Sequence, residues 1–301
     1  MKIAITGGSG FIGKWLLRGL PEDCDVVVLG RRPQEELKID DRHFLYVSTD
    51  YTLESLIRAL NGCDAVVHLA AKRLAENNHF RSYFDNIEIS ANLFTACRQL
   101  HILNILNLSS QSVYSQSNQV PWYESDSACP ANFYGLSKLT VENLADYYNK
   151  HLRMKIKSLR AAQVLGLGER EGFMLMTFIK SAAKKEMLTL YGSGSGRREY
   201  IYVKDLVDVI IRMLEKNVAG IYNVGSGVNY SHREVAEMIN DVFDNRGNLE
   251  LMPNKPEDKN INLMNSNKIK EELNWQPQWS FRDALRDIQQ MILSNAGKGF
   301  P

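Results

Sequence analysis

The sequence is poor in the residues that carry disulfide, metal and membrane chemistry. Four cysteines, Cys24, Cys63, Cys97 and Cys129, are too scattered for a zinc or redox spacing. They read as reduced thiols of a cytoplasmic protein. The six histidines fall in no H-E-x-x-H cluster, so no metal site is expected. No apolar run approaches the roughly 20 residues of a membrane helix. The first residues enter a strand pattern directly, without the charged stretch and apolar run of a secretion signal. Neither sign of charge is in excess: 36 Lys+Arg stand against 35 Asp+Glu, a net charge of +1. That removes the electrostatic case for nucleic acid or an anionic membrane as partner. There is no internal repeat and no low-complexity stretch. What remains is 301 residues, 44% hydrophobic and 24% charged, the composition of a globular protein of one large or two smaller domains.

Strand and helix patterns alternate along the first half. Strands are expected at 2–5, 25–29, 44–47, 64–71, 103–108 and 155–159, and helices after Gly13 through Leu20, at 52–60 and at 86–100. The apolar run at 64–71 suits a parallel strand covered on both faces, and His68 inside it reads as a packed histidine. Such alternation predicts an α/β fold with a doubly wound parallel sheet. Beyond Gly166 the order loosens. Helices are expected at 173–185, 204–215, 231–243, 266–273 and 281–293. The glycine-rich turn 192–196 leads into a strand at 197–203. Residues 254–259 form a polar loop, and the end from about residue 296 is expected to fray.

Three stretches carry candidate chemistry. The first strand ends in Thr6-Gly7-Gly8-Ser9-Gly10-Phe11-Ile12-Gly13 and leads into a helix. Strand, glycine turn and helix N-terminus are the setting of a phosphate-binding turn, although the spacing is G-x-x-G-x-x-G. The second strand ends in Gly30-Arg31-Arg32 with no acid to hold ribose hydroxyls, and arginine there suits a 2′-phosphate. The third is Tyr134-Gly135-Leu136-Ser137-Lys138. Residues four apart share a helix face, and a cation beside a phenol lowers a pKa that is otherwise about 10. Such a pair suits a general acid/base.

Taken together, these pieces resemble the extended short-chain dehydrogenase/reductases, the NAD-dependent epimerase/dehydratase group. The likeness covers nearly the whole chain. It rests on the Gly7 to Gly13 turn, Asp50, the run His68-Leu69-Ala70-Ala71, Asn86, Ser110 to Tyr114, Tyr134 with Lys138, and Arg198-Glu199-Tyr200-Ile201-Tyr202-Val203. The resemblance implies an N-terminal Rossmann-type sheet and a smaller C-terminal α/β substrate-binding domain. Residues 1–165 would form the first, with about 197–218 returning to it, and 166–301 the second. It implies Ser110, Tyr134 and Lys138 as the catalytic set. The cofactor would be held by Gly7, Gly10, Phe11, Ile12, Gly13, Arg31, Arg32, Asp50, Tyr51, Leu69, Ala70, Ala71, Tyr134 and Lys138, with Asn86 supporting the active-site helix.

The second half resembles the substrate lobe of enzymes acting on nucleotide-diphosphate sugars. Ser110, Gln111, Gln163, Tyr191, Arg198, Lys255 and Asp258 would contact such a substrate, Arg198 at its diphosphate. Three departures from the family pattern matter. The missing acid after the second strand favours NADP over NAD. Gln163 stands for a common Asn. Gln111 and Ser112 replace the Asp-Glu pair of sugar dehydratases, which argues against dehydration. The expected activity is hydride transfer at C4 of a nucleotide sugar, by a 4-epimerase or a 4-ketoreductase. The alternative is a non-catalytic dinucleotide sensor on the same fold. By the same resemblance the protein is a homodimer joined through the helices at 86 and 134.

Overall fold

The computed structural model describes residues 1–72, 79–169 and 172–294. The expected fraying from residue 296 lies outside them. The first half runs β1 (Lys2–Thr6), α1 (Phe11–Gly19), β2 (Asp25–Gly30), β3 (Glu36–Ile39), β4 (Arg42–Ser48), α2 (Leu53–Leu60), β5 (Ala65–His68), α3 (Phe80–Gln99), β6 (Asn104–Ser110), α4 (Phe133–Leu152) and β7 (Lys155–Ala161). The second half contributes β8 (Gln163–Leu165), α5 (Met174–Ala183), β9 (Leu188–Tyr191), β10 (Arg197–Tyr202), α6 (Val203–Leu214), β11 (Gly220–Val224), β12 (Asn229–Ser231), α7 (His232–Val242), β13 (Leu249–Met252), α8 (Asn267–Leu273) and α9 (Phe281–Ser294).

Eight strands make one sheet in the order β11-β7-β6-β5-β1-β2-β4-β3. All neighbours are parallel except the edge hairpin β3–β4. The alternation of inward residues explains the double winding. Ile3, Ile5, Val26, Val28 and Val67 join one apolar cluster, and Ala4, Val27, Leu29 and Val66 join the other. A strand buried on both faces needs such an unbroken apolar run. The order reverses at β1, which lies between β2 and β5, and the C-terminal ends of parallel strands at such a reversal open a crevice.

The remaining strands form a three-stranded sheet, β12-β10-β8, and a parallel pair, β13-β9. Thus β10 pairs outside the large sheet, whereas β11 closes its far edge and α6 packs against α1.

Several expected boundaries shift. The strand expected at 64–71 stops at His68, because Leu69 and Ala70 turn back to bond Thr6. The helix expected from 86 begins at Phe80. The hairpin strand β3 was not expected: its Glu36 and Lys38 are exposed, as an edge permits. His68 is packed, with Nδ1 against Thr6 Oγ1 at 2.7 Å and Nε2 against Ser90 Oγ at 3.0 Å. The helices α3 and α4 lie against each other and leave Phe84, Leu136 and Tyr147 exposed.

Candidate active site

One cleft of about 1420 Å³ opens over the C-terminal ends of β1, β5, β6 and β7 and runs to β9 and β10. Drug-sized ligands occupy roughly 300–1,000 Å³, so this space suits two ligands held together.

At one end lies the glycine turn after β1. Gly7 has φ 73°, and a Cβ there would stand 2.8 Å from the Ala70 amide nitrogen. Only glycine lets β1 and the turn after β5 approach so closely. Gly10 caps α1 without a side-chain hydrogen bond, which leaves that helix end clear of a competing side chain. Gly7, Gly10, Phe11, Ile12, Gly13, Leu69 and Ala71 line the cleft; Ala70 lies just behind it, its amide donating to Thr6 Oγ1. The turn therefore fits a pyrophosphate.

Other expected cofactor residues stand back from this space. Asp50 is exposed and accepts from the Thr52 amide and hydroxyl. Tyr51 is buried, donates to Leu29 O and carries the Arg31 guanidinium over its ring at 5.5 Å. Arg31 and Arg32 are exposed. A Cβ at Gly30 would lie 2.0 Å from the Tyr46 hydroxyl, so the place of the missing acid is already taken. Asn86 lies behind the cleft, donating to Lys72 O and to Ser137 Oγ on α4.

The middle of the cleft holds Ser110, Gln111, Ser112, Tyr134 and Lys138. Asn132 caps α4 by accepting from the Gly135 amide at 2.8 Å. A Cβ at Gly135 would lie 2.2 Å from Ser112 O, so glycine next to Tyr134 lets α4 start against the Ser110 turn. The Lys138 ammonium stands 5.7 Å from the Tyr134 ring centre and donates to Leu108 O at 2.6 Å. Burial pulls the Lys138 pKa down to about 8, with the Glu142 carboxylate one turn further on pulling the other way. Ser110 Oγ donates to Ser112 Oγ and accepts from the Ser112 amide.

Behind this set lies a network that the sequence reading missed. Glu142 and Arg160 form a fully enclosed ion pair at 2.7 Å. Ser109 Oγ donates to Glu142, and the Arg160 guanidinium lies 4.7 Å from the Tyr114 ring centre. Burial raises the Tyr114 phenol to about 12, and its hydroxyl donates to Asn223 Oδ1. Spacing was the available signal: Glu142 follows Lys138 by four, as Lys138 follows Tyr134.

At the other end, Gln163, Tyr191, Arg198 and Asp258 line the cleft, with Tyr191 about half exposed. Arg198 is ion-paired with Asp258. Burial would raise the Asp258 pKa, but the Asn260 amide and Arg198 hold it below the usual range. Lys255 is exposed and is not among the lining residues, whereas Pro256, Glu257 and Asp258 are.

Residues 3–225 match the model of the NAD dependent epimerase/dehydratase family. The chain belongs to this family. Among solved structures, a UDP-N-acetylglucosamine 4-epimerase from Bacillus cereus is 35% identical, with a TM-score of 0.87 over 97% of this chain and 96% of that one. A UDP-glucose 4-epimerase from Thermotoga maritima, solved with UDP-glucose, shares the fold at 22% identity, with a TM-score of 0.88 over 98% and 100% of the two chains. An uncharacterized UDP-glucose epimerase of Bacillus subtilis is 28% identical over 95% of this chain and 96% of its own.

Proposed function

We propose that the protein is an NAD(P)-dependent enzyme that moves a hydride at C4 of a nucleotide-diphosphate sugar, as a UDP-sugar 4-epimerase does. Ser110, Tyr134 and Lys138 are its catalytic set. The observation that carries this is the single cleft in which the glycine turn, this set and Arg198 follow one another. The 4-epimerase activity named for the 35%-identical relative supports the choice of carbon and reaction.

A bound nicotinamide would supply the hydride acceptor and, on the return, its donor. The chain's own residues handle the proton and the oxygen. Tyr134 takes the hydroxyl proton as the carbonyl forms and gives it back on return. The Lys138 ammonium favours the phenolate that this requires. Ser110 hydrogen-bonds the reacting oxygen while its charge changes. Arg198 holds the diphosphate, where a guanidinium binds bidentately.

The test is turnover of UDP-glucose, UDP-N-acetylglucosamine and their galacto epimers, with the products resolved. Epimers formed without net use of cofactor support the epimerase; stoichiometric loss of reduced cofactor on a 4-keto sugar makes it a reductase. Tyr134→Phe is expected to cost about 10²–10⁴-fold in rate. No turnover of any nucleotide sugar, or a Tyr134→Phe variant as fast as wild type, overturns the proposal.

The same reading extends to the cofactor. Gly30 leaves no carboxylate for the adenosine ribose, and Arg31 and Arg32 stand exposed beside it. NADP(H) is therefore expected to bind more tightly than NAD(H) by about 1–3 kcal/mol. Calorimetric titration with both cofactors, in wild type and in the Arg31→Ala/Arg32→Ala variant, decides it. A wild-type preference for NAD removes the claim, as does a variant that keeps the NADP preference.

A further inference from the structure

Three residues that line the cleft carry a buried polar atom with no hydrogen-bond partner among the described residues, Gln111 Oε1, Tyr200 Oη and His232 Nε2; Tyr200 also lines a second cavity beside Phe281. Gln111 belongs to the turn already assigned to the sugar. His232 has no part in the proposed chemistry, yet only 7% of it is exposed and it lines the cleft in the company of Arg198 and Asp258. Native folds leave few buried polar atoms unpaired.

His232 opens α7, and the backbone there is already committed. The His232 amide donates to Gly196 O at 2.9 Å and the Arg233 amide to Gly194 O at 3.2 Å. The Glu234 amide donates to Ser231 Oγ at 3.1 Å. An anion at this wall must therefore be met by side chains. Charge there is balanced. Arg198 is paired with Asp258, and Glu257 adds a second carboxylate, held by Ser193 and by the Gly194 and Ser195 amides with Lys259 Nζ at 3.8 Å. With its cations matched by carboxylates, this wall needs a further donor to hold a diphosphate. The imidazole supplies one. Burial, with Arg198 adding to it, keeps the ring below its usual pKa, and a neutral ring still offers one N–H and one acceptor nitrogen. A Cβ at Gly196 would stand 3.2 Å from His232 Cε1, so the glycine turn packs directly on the ring.

We propose that His232 is a substrate-binding residue whose Nε2 hydrogen-bonds the diphosphate of the substrate beside Arg198. This rests on the nucleotide-sugar reading above. The experiment is calorimetric titration of wild type, His232→Leu and His232→Gln with UDP, dTDP and GDP, and separately with NAD and NADP. A glutamine amide can reach the place of Nε2, and a leucine fills the space without a polar atom. His232→Leu is expected to weaken the preferred diphosphate about tenfold, and His232→Gln to stay within about threefold of wild type. Cofactor affinity stays unchanged in both, and KM rises in His232→Leu while kcat, read at saturation, holds. A leucine variant that binds diphosphate like wild type overturns the proposal. So does a glutamine variant that loses as much as leucine, or a parallel loss of cofactor affinity, either of which would make the residue structural. Wild type binding no nucleoside diphosphate sinks the nucleotide-sugar reading itself and this proposal with it.

Discussion

Two carboxylate–guanidinium pairs flank the cleft in opposite circumstances. The Arg160 and Glu142 side chains are 3% and 0% exposed, whereas Arg198 and Asp258 are 29% and 33% exposed. The enclosed pair is completed by Ser109 on the carboxylate, by Glu124 O on the guanidinium and by the Tyr114 ring beside it. The open pair has Asn260 as one further partner of its carboxylate and cleft on its other side. Desolvation explains the division. An enclosed pair has already lost its water and depends on its internal partners. A pair about a third exposed keeps part of its hydration and gains little from pairing, so its guanidinium can change partners at small cost. The chain thus fixes charge behind the proposed catalytic set and leaves it exchangeable where a ligand is expected.

The largest effect should come from breaking the enclosed pair. Glu142→Ala leaves a buried guanidinium without its counter-charge, and such losses cost about 3–5 kcal/mol. Asp258→Ala at the open pair should cost about 1 kcal/mol or less. Urea unfolding of both variants measures the contrast. Equal losses would mean that burial does not separate the two pairs.

This contrast also marks where the sequence was legible. The turn at Gly7 and the Tyr134–Lys138 pair are local, and a strand boundary or a helical period places them. The parallel core was legible because runs such as Val26-Val27-Val28 have no polar face. Arg160 lies just past a strand expected at 155–159, and Glu142 is one charge among several on a helix. Their meeting depends on how α4 crosses β7, which no local pattern encodes. His232 follows a helix-capping serine, and its burial comes from the Gly196 turn, 36 positions earlier in the chain. Lys255, which the resemblance put at the substrate, is exposed next to Pro256 of the cleft wall.

A smaller effect is expected at the open pair. If Arg198 exchanges Asp258 for a diphosphate, Arg198→Ala should lower nucleoside-diphosphate affinity about ten- to a hundredfold. Stability should change little, because the pair is about a third exposed. Titration beside a thermal melt reads both. Unchanged affinity for every diphosphate, or a collapse of the melt, would erase the distinction between exchangeable and fixed charge.

The smallest effect joins the enclosed pair to the chemistry through pH. Burial lowers the Lys138 pKa to about 8, so its charge is present below that value and lost as pH rises through it. If the ammonium supports ionisation of Tyr134, kcat/KM should be near its plateau at pH 7, about half of it near pH 8, and falling about tenfold per unit above. The Glu142 charge pushes the Lys138 pKa upward against burial. Glu142→Gln, which keeps the shape of the side chain, should therefore move this limb toward lower pH, by about one unit at most. Rates measured from pH 6 to 9.5 on wild type and Glu142→Gln provide the check. A wild-type profile flat to pH 9.5 would remove Lys138 from the proton chemistry. A limb that Glu142→Gln leaves in place would confine the enclosed pair to holding the fold.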